Sequence, residues 1–228
     1  ASGYASMQKG DKSPVTEADR AADAFICKAL NGLTPTIPII SEEGTQDESA
    51  AAGGYFWCVD PLDGTKGFMR GENEFTVNIG LIHDFQPVLG VIYIPPTQML
   101  YVGAVGQGAY RIVQQGGKEA ITVRTPSLSG LAAVTSRYHG AEKESEMRER
   151  YGITDFVAAS SSLKFCRIAE GAADIYPRFG ATMEWDTAAG QAILCAAGGH
   201  VTVMETGVPL RYAKAGFLNG HFVARGCL

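Results

Sequence analysis

Four apolar, strand-like runs follow one another between residues 75 and 113: Phe75–Ile82, Pro87–Tyr93, Leu100–Val105 and Ala109–Val113. Gly, Pro and Asp punctuate them at short intervals, which is the pattern of an antiparallel meander; parallel neighbours would need longer crossovers. Around this meander the pattern is helical. Ala18, Ala21, Ala22, Phe25, Ile26, Ala29 and Leu30 recur at i, i+3, i+4 spacing, with Gly32 and Pro35 closing the helix. Thr16 and Asp19 stand in capping-box relation at its start. Thr36–Ile40 and Tyr55–Val59 read as strands. In the second half, strands at Leu131–Thr135, Ala173–Tyr176, His200–Met204 and Phe222–Ala224 alternate with helices at Glu142–Tyr151, Ser162–Glu170 and Asp186–Ala197. The expected class is α/β (α+β) in packed layers. Thr125-Pro126-Ser127 is the expected boundary between a unit of residues 1–127 and one of residues 128–228.

The chain has 228 residues, enough for one large domain or two closely packed halves. It can bury roughly 70–75% of its unfolded surface without staples. A net charge of −5 argues against nucleic acid or an anionic membrane as main partner. The five cysteines are odd in number and lack C-x-x-C spacing, so they read as buried thiols in a reducing compartment. The four histidines lack metal-ligand spacing. No apolar run reaches ~18 residues, and no signal peptide is visible. The expected location is the cytoplasm, with peripheral association at the inner membrane left open.

The strongest chemical signal is Asp60-Pro61-Leu62-Asp63-Gly64-Thr65, two aspartates at the end of an apolar strand. Pro61 fixes its own φ and Gly64 permits an unusual one, so the segment reads as a tight turn aiming two carboxylates and a backbone carbonyl at one point. Oxygen-only ligation suits Mg²⁺ or Mn²⁺. A helix beginning at Thr65 would add free N–H groups as an anion cradle. Glu42-Glu43 after one strand and Asp186 after Trp185 could complete the cluster. Carboxylates gathered from distant segments would repel unless cations offset the charge. Each acid also has a structural reading: Asp19 as capping-box acid, Asp186 as N-cap, Asp63-Gly64 as a turn, Glu42-Glu43 as a solvated pair.

Taken in order, Asp11–Asp19, Ser41–Gly44, Trp57–Thr65 and Glu184–Gly190 resemble the motifs of the inositol monophosphatase superfamily of metal-dependent, lithium-sensitive phosphatases. Asp60–Phe68, Glu74–Ile82 and Ser161–Asp186 resemble, more narrowly, its bacterial 3′(2′),5′-bisphosphate nucleotidases of sulfur assimilation. The resemblance implies an αβαβα sandwich and two or three Mg²⁺ ions, with Mn²⁺ able to substitute and Li⁺ and Ca²⁺ inhibitory. Glu42, Asp60, the Leu62 carbonyl, Asp63 and Asp186 would ligate the metals. Gly64 and Thr65 would hold the scissile phosphate, and Asp19 with Thr65 would orient and deprotonate the attacking water. The implied reaction is hydrolysis of adenosine 3′,5′-bisphosphate to AMP, and of 3′-phosphoadenylyl sulfate, without a covalent intermediate.

A bisphosphate also needs cations away from the metals. Lys164 and Arg178, with Ser161, are the candidates, since a guanidinium fork matches a phosphate. Their structural readings are a solvated helix lysine, a surface salt bridge and an N-cap cluster at Ser160–Ser162. The other readings of function are an inositol monophosphatase or broad sugar phosphatase, and a non-catalytic nucleotide-binding homologue. The expected state is monomer or homodimer.

Overall fold

The computed structural model describes residues 14–44, 46–51, 54–114, 116–136 and 141–227. The Asp11–Ser13 part of the first motif lies outside them. Helix α1 (Pro14–Leu33) precedes a seven-stranded sheet made of β1 (Ile39–Ser41), β2 (Tyr55–Asp63), β3 (Thr76–His83), β4 (Gln86–Ile94), β5 (Met99–Ala104), β6 (Gly108–Val113) and β7 (Gly117–Ile121). These strands lie side by side in chain order. β1 and β2 are parallel and every later pair is antiparallel, as the meander requires. A short helix α2 (Thr65–Met69) sits between β2 and β3.

The second sheet has the order β12-β14-β10-β8-β9. It comprises β8 (Leu131–Thr135), β9 (Ile153–Ala158), β10 (Ile175–Arg178), β12 (His200–Val203) and β14 (Phe222–Arg225). Helices α3 (Ala141–Tyr151), α4 (Leu163–Ala169) and α5 (Ala188–Ala196) alternate with these strands, and β11 (Thr182–Met183) pairs with β13 (Leu218–Asn219). β7, β9, β11 and β13 were not expected. β7 (Gly-Lys-Glu-Ala-Ile) is an almost fully exposed edge whose charges hide any alternation.

Side-chain periodicity stacks these elements. On β2, Trp57 and Val59 point to Ile26 and Leu30 of α1, while Phe56 and Cys58 point to Trp185 and Ala188. Burying each of the larger aliphatic and phenylalanine side chains among them contributes about 1.5–3 kcal/mol. Between the sheets, α4 and α5 share one core with Ile92 and Tyr101 of the first sheet and with Tyr176 and Phe222 of the second. On the outer face of the second sheet, Met147 of α3 meets Ala133, Ile175 and Val223. The layers are therefore α/β/α/β/α. Arg124 locks the link between the sheets, bonding both oxygens of buried Asp174 at 2.8 Å.

A row of glycines seats α5. Gly80, Gly90 and Gly103 are register partners across β3, β4 and β5. A Cβ at Gly80 would lie 2.8 Å from the Ala188 Cβ, one at Gly103 2.6 Å from the Ile193 Cα, and one at Gly90 inside contact with the Ala189 carbonyl. The helix thus rests directly on the sheet, which fixes the Asp186 segment ahead of it. Gly90→Ala is expected to cost at least about 3 kcal/mol by overpacking against backbone. Thermal denaturation should show the midpoint falling by roughly 6–12 °C.

Several local expectations are corrected. β2 continues through Asp63, and the tight turn is instead a register shift in the pairing with β3 between Asp60 and Asp63. Gly64 is left-handed, at φ 94°, as expected. α1 begins at Pro14, ahead of Thr16, so Asp19 lies inside the helix and is no capping-box acid. α5 begins at Ala188 with Thr187 as N-cap, so Asp186 is outside the helix and is not its cap. Phe25 is exposed, turned away from the sheet that α1 covers. Cys58 and Cys166 are buried as expected, but Cys227 is exposed.

Candidate active site

The site forms where the ends of β1 and β2, the start of α4 and the segment before α5 meet. Asp60 is buried, its Oδ1 accepting the Leu62 N–H at 3.0 Å. Burial pushes its carboxyl well above the usual range, and the charges of Asp63, Glu42 and Asp186 add to the push. Asp186 is raised to about 7, by burial first, then by Asp63 and Glu42, with opposing contributions from the Met183 N–H and Arg178. Glu42 directly follows β1 and extends its pairing by donating its N–H to Val59 O at 3.1 Å. Carboxylates from three distant segments thus converge within electrostatic reach. Ser41, next to Glu42, ties this corner to α1 by donating its hydroxyl to Asp23 Oδ1 at 2.5 Å.

Asp63 is also raised by burial, but Lys164 and several hydrogen bonds pull it back. Its Oδ2 accepts the Ser162 N–H at 2.8 Å and an Asn78 side-chain N–H at 3.4 Å. Ser162 Oγ lies 2.6 Å from Asn78 Oδ1 and 2.9 Å from Thr76 Oγ1. This buried network joins β2, β3 and α4 behind the carboxylates. The serine cluster was expected as a possible N-cap, yet Ser162 makes no side-chain cap bond. Thr76 and Asn78 were missed, although they share the buried face of β3 with Gly80 and Ile82. Two polar residues on the inward side of an alternating strand were the available signal.

Behind Asp186, Glu184 is fully buried and accepts the Ala213 and Lys214 N–H groups and the Lys214 ammonium at 2.8, 3.0 and 2.5 Å. Asn219 Nδ2 donates to Thr187 Oγ1 at 2.9 Å and to Met183 O at 3.1 Å. These bonds fix the loop carrying Asp186. The sequence reading assigned neither Glu184 nor Asn219 a role.

On the open side, Asp63, Ser161, Lys164, Arg178, Thr182 and Asp186 line a cleft of about 160 Å³. Lys164 is buried, contrary to a solvated helix lysine, and its Nζ donates to Ser161 O at 3.1 Å. Arg178 donates to Gly180 O at 3.1 Å and Ala181 O at 3.3 Å, so backbone carbonyls hold its fork where a surface salt bridge was the alternative. Its remaining N–H donors are left over for a ligand. Ser161 has φ 53°, and its hydroxyl would be struck at 2.5 Å by any Cβ at Gly64. Gly64 is needed both for its left-handed φ and for this close approach. Gly64 also lines an adjoining recess of about 290 Å³ with Lys66, Arg70, Ser161 and Lys164.

Asp19 is buried on α1, which packs against α2. The Thr65 hydroxyl donates to the Leu62 carbonyl at 3.3 Å. Among the described residues, no three His, Cys, Asp or Glu side chains stand close enough to form a closed ligand set. Asp63 and Asp186 are each turned onto a backbone N–H. The donor chemistry nonetheless fits a hard divalent cation: the four acids are oxygen donors, burial raises Asp60, Asp63 and Asp186, and the charges of neighbouring carboxylates raise Asp60 and Asp186 further. No helix among the described residues is long and apolar enough to cross a membrane.

Comparisons with known proteins point the same way. Residues 2–225 match the profile of the Inositol monophosphatase family. The chain is 43% identical over 220 residues to the 3′(2′),5′-bisphosphate nucleotidase CysQ of Escherichia coli K12, covering 95% of this chain and 87% of that one. The protein of the same name from Haemophilus influenzae is 32% identical over 226 residues, covering 96% and 82%. Among solved structures, CysQ from Bacteroides thetaiotaomicron, a bacterial member of the inositol monophosphatase family, is 39% identical with a TM-score of 0.85, covering 95% of this chain and 86% of the other.

Proposed function

This chain belongs to the inositol monophosphatase family, and we propose that it hydrolyses the 3′-phosphate of adenosine 3′,5′-bisphosphate, giving AMP and phosphate, and accepts 3′-phosphoadenylyl sulfate at the same site. The observation that carries the reading is the cleft itself, where Lys164 and Arg178 line the same small space as Asp63 and Asp186. The acids suit cations that meet the scissile phosphate; Lys164 and Arg178 suit a second oxyanion. The names of the relatives, which are bisphosphate nucleotidases, support the same substrate class.

Glu42, Asp60, the Leu62 carbonyl, Asp63 and Asp186 would hold two or three Mg²⁺ ions. Bound there, Mg²⁺ would neutralise the developing phosphoryl charge and lower the pKa of the attacking water. Gly64 and Thr65 would orient the scissile phosphate through their N–H groups. The Thr65 hydroxyl would turn from the Leu62 carbonyl to relay the water's proton to Asp19. The water oxygen bonds to phosphorus as the ester P–O bond breaks, and the released 3′-oxygen takes up a proton. Ser161, Lys164 and Arg178 would hold the remaining phosphate, so most of the protein's contribution is positioning and charge neutralisation.

The test is a phosphate-release panel with Mg²⁺ across adenosine 3′,5′-bisphosphate, inositol 1-phosphate and fructose 1,6-bisphosphate. The nucleotide should be turned over fastest, and Arg178→Glu should lower its kcat/KM by on the order of 100-fold while sparing inositol 1-phosphate. Faster turnover of inositol 1-phosphate by the unaltered chain would replace this reading with an inositol monophosphatase.

A further inference from the structure

The five-stranded sheet has two unlike faces. Phe222 and Ala224 of β14 join the core with α4 and α5, and Phe222 also lines the catalytic cleft. Val223 packs with Met147 of α3 on the opposite side. Strand alternation puts Arg225 on the Val223 side. Register then pairs Arg225 with His200 and Val223 with Thr202 on β12. These residues and the end of α3, Arg150 and Tyr151, line a separate cleft of about 510 Å³ with a partly apolar wall.

Two guanidiniums line this cleft. Arg150 lies 5.3 Å and Arg225 5.7 Å from the centre of the Tyr151 ring, both within cation–π reach of one aromatic face or edge. Among the described residues neither arginine forms an ion pair. The Tyr151 ring lines the cleft, while its hydroxyl is shut off from solvent. Glu146 and Glu205 act on Tyr151 from nearby, and Glu205 is held by His221 at 3.0 Å. Two cations without carboxylate partners beside an apolar wall form a receptor for an anion with an organic body.

We propose that this cleft is a second binding site, distinct from the catalytic one, for a phosphate- or sulfate-bearing small molecule held by Arg150 and Arg225. It does not depend on the substrate assigned to the catalytic cleft. The test is an NMR titration of the metal-free full chain with inorganic sulfate and, separately, inorganic phosphate at constant ionic strength. The Thr202 and Gly207 amides report on this cleft, and Gly64 and Ser161 on the catalytic one. Thr202 and Gly207 should shift saturably with at least one anion, and whichever anion saturates first identifies the preferred group. Arg150→Ala and Arg225→Gln should each weaken that response by about tenfold and leave the Gly64 response unchanged. Arg150 is exposed, so its variant tests binding without threatening the fold. Amides at Thr202 and Gly207 that stay still, or that respond equally in the Arg150 variant, would overturn the proposal.

Discussion

Asp60→Asn should lower phosphate release by at least about 10³-fold, the order expected when charge stabilisation worth several kcal/mol is lost, while leaving the metal-free protein as stable as before or more so. The two halves of this expectation have one cause. Asp60 is buried, its charge is opposed by Glu42, Asp63 and Asp186, and a single backbone N–H supports it. An asparagine keeps the shape and can still accept the Leu62 N–H, but removes the repulsion. A residue conserving only structure would behave differently, since losing its interactions would lower the melting temperature together with activity. Thermal denaturation in chelator, paired with phosphate release in Mg²⁺, separates the cases. Retained activity, or a melting temperature that drops sharply, would refute the assignment.

The second large effect is on stability as a function of pH. The carboxyls of Asp60, Asp63 and Asp186 are raised in the folded chain, Asp186 to about 7. In the unfolded chain an aspartate titrates near 4. Between those values the folded state binds more protons than the unfolded one, so stability falls as pH rises. The contribution is fully present below about pH 4 and is lost on passing through about pH 7. The loss for Asp186 alone is on the order of 3–4 kcal/mol. The metal-free melting temperature should therefore drop by roughly 5–10 °C between pH 5 and pH 8. Mg²⁺ competes with those protons, so its stabilising effect should be larger at pH 8 than at pH 5. Differential scanning calorimetry with and without Mg²⁺ at both values measures this. An Mg²⁺ effect of equal size at both would mean that the acids are not its ligands.

What the sequence disclosed and what it hid follow from how each feature is written in the chain. Asp60–Thr65, Ser41–Gly44 and Glu184–Gly190 are contiguous strings whose residue types are unusual together, so they could be read before any contact was known. The antiparallel meander was equally legible, because alternation and short turns are local properties. The Thr76–Asn78–Ser162 network was not, since Ser162 is remote in sequence and its partners become visible only when β3 and α4 are brought together. Asp19 was read as a cap because Thr16 and Asp19 have the right spacing, yet that spacing recurs anywhere within a helix. The glycine row was hidden for a related reason: Gly80, Gly90 and Gly103 lie in three different strands, and only register aligns them under α5. For Lys164 the sequence left a solvated helix lysine open beside a phosphate-binding one, and burial removes the first, because α4 is short and sandwiched between two sheets.

The decisive measurement is an anomalous difference map from crystals of this protein grown with Mn²⁺. Peaks within about 2–2.5 Å of carboxylate oxygens of Asp60, Asp63 and Asp186, with Glu42 closing the shell, are the result required. A map with Mn²⁺ bound elsewhere, and Asp60, Asp63 and Asp186 still accepting the Leu62, Ser162 and Met183 N–H groups, would contradict the account at its centre.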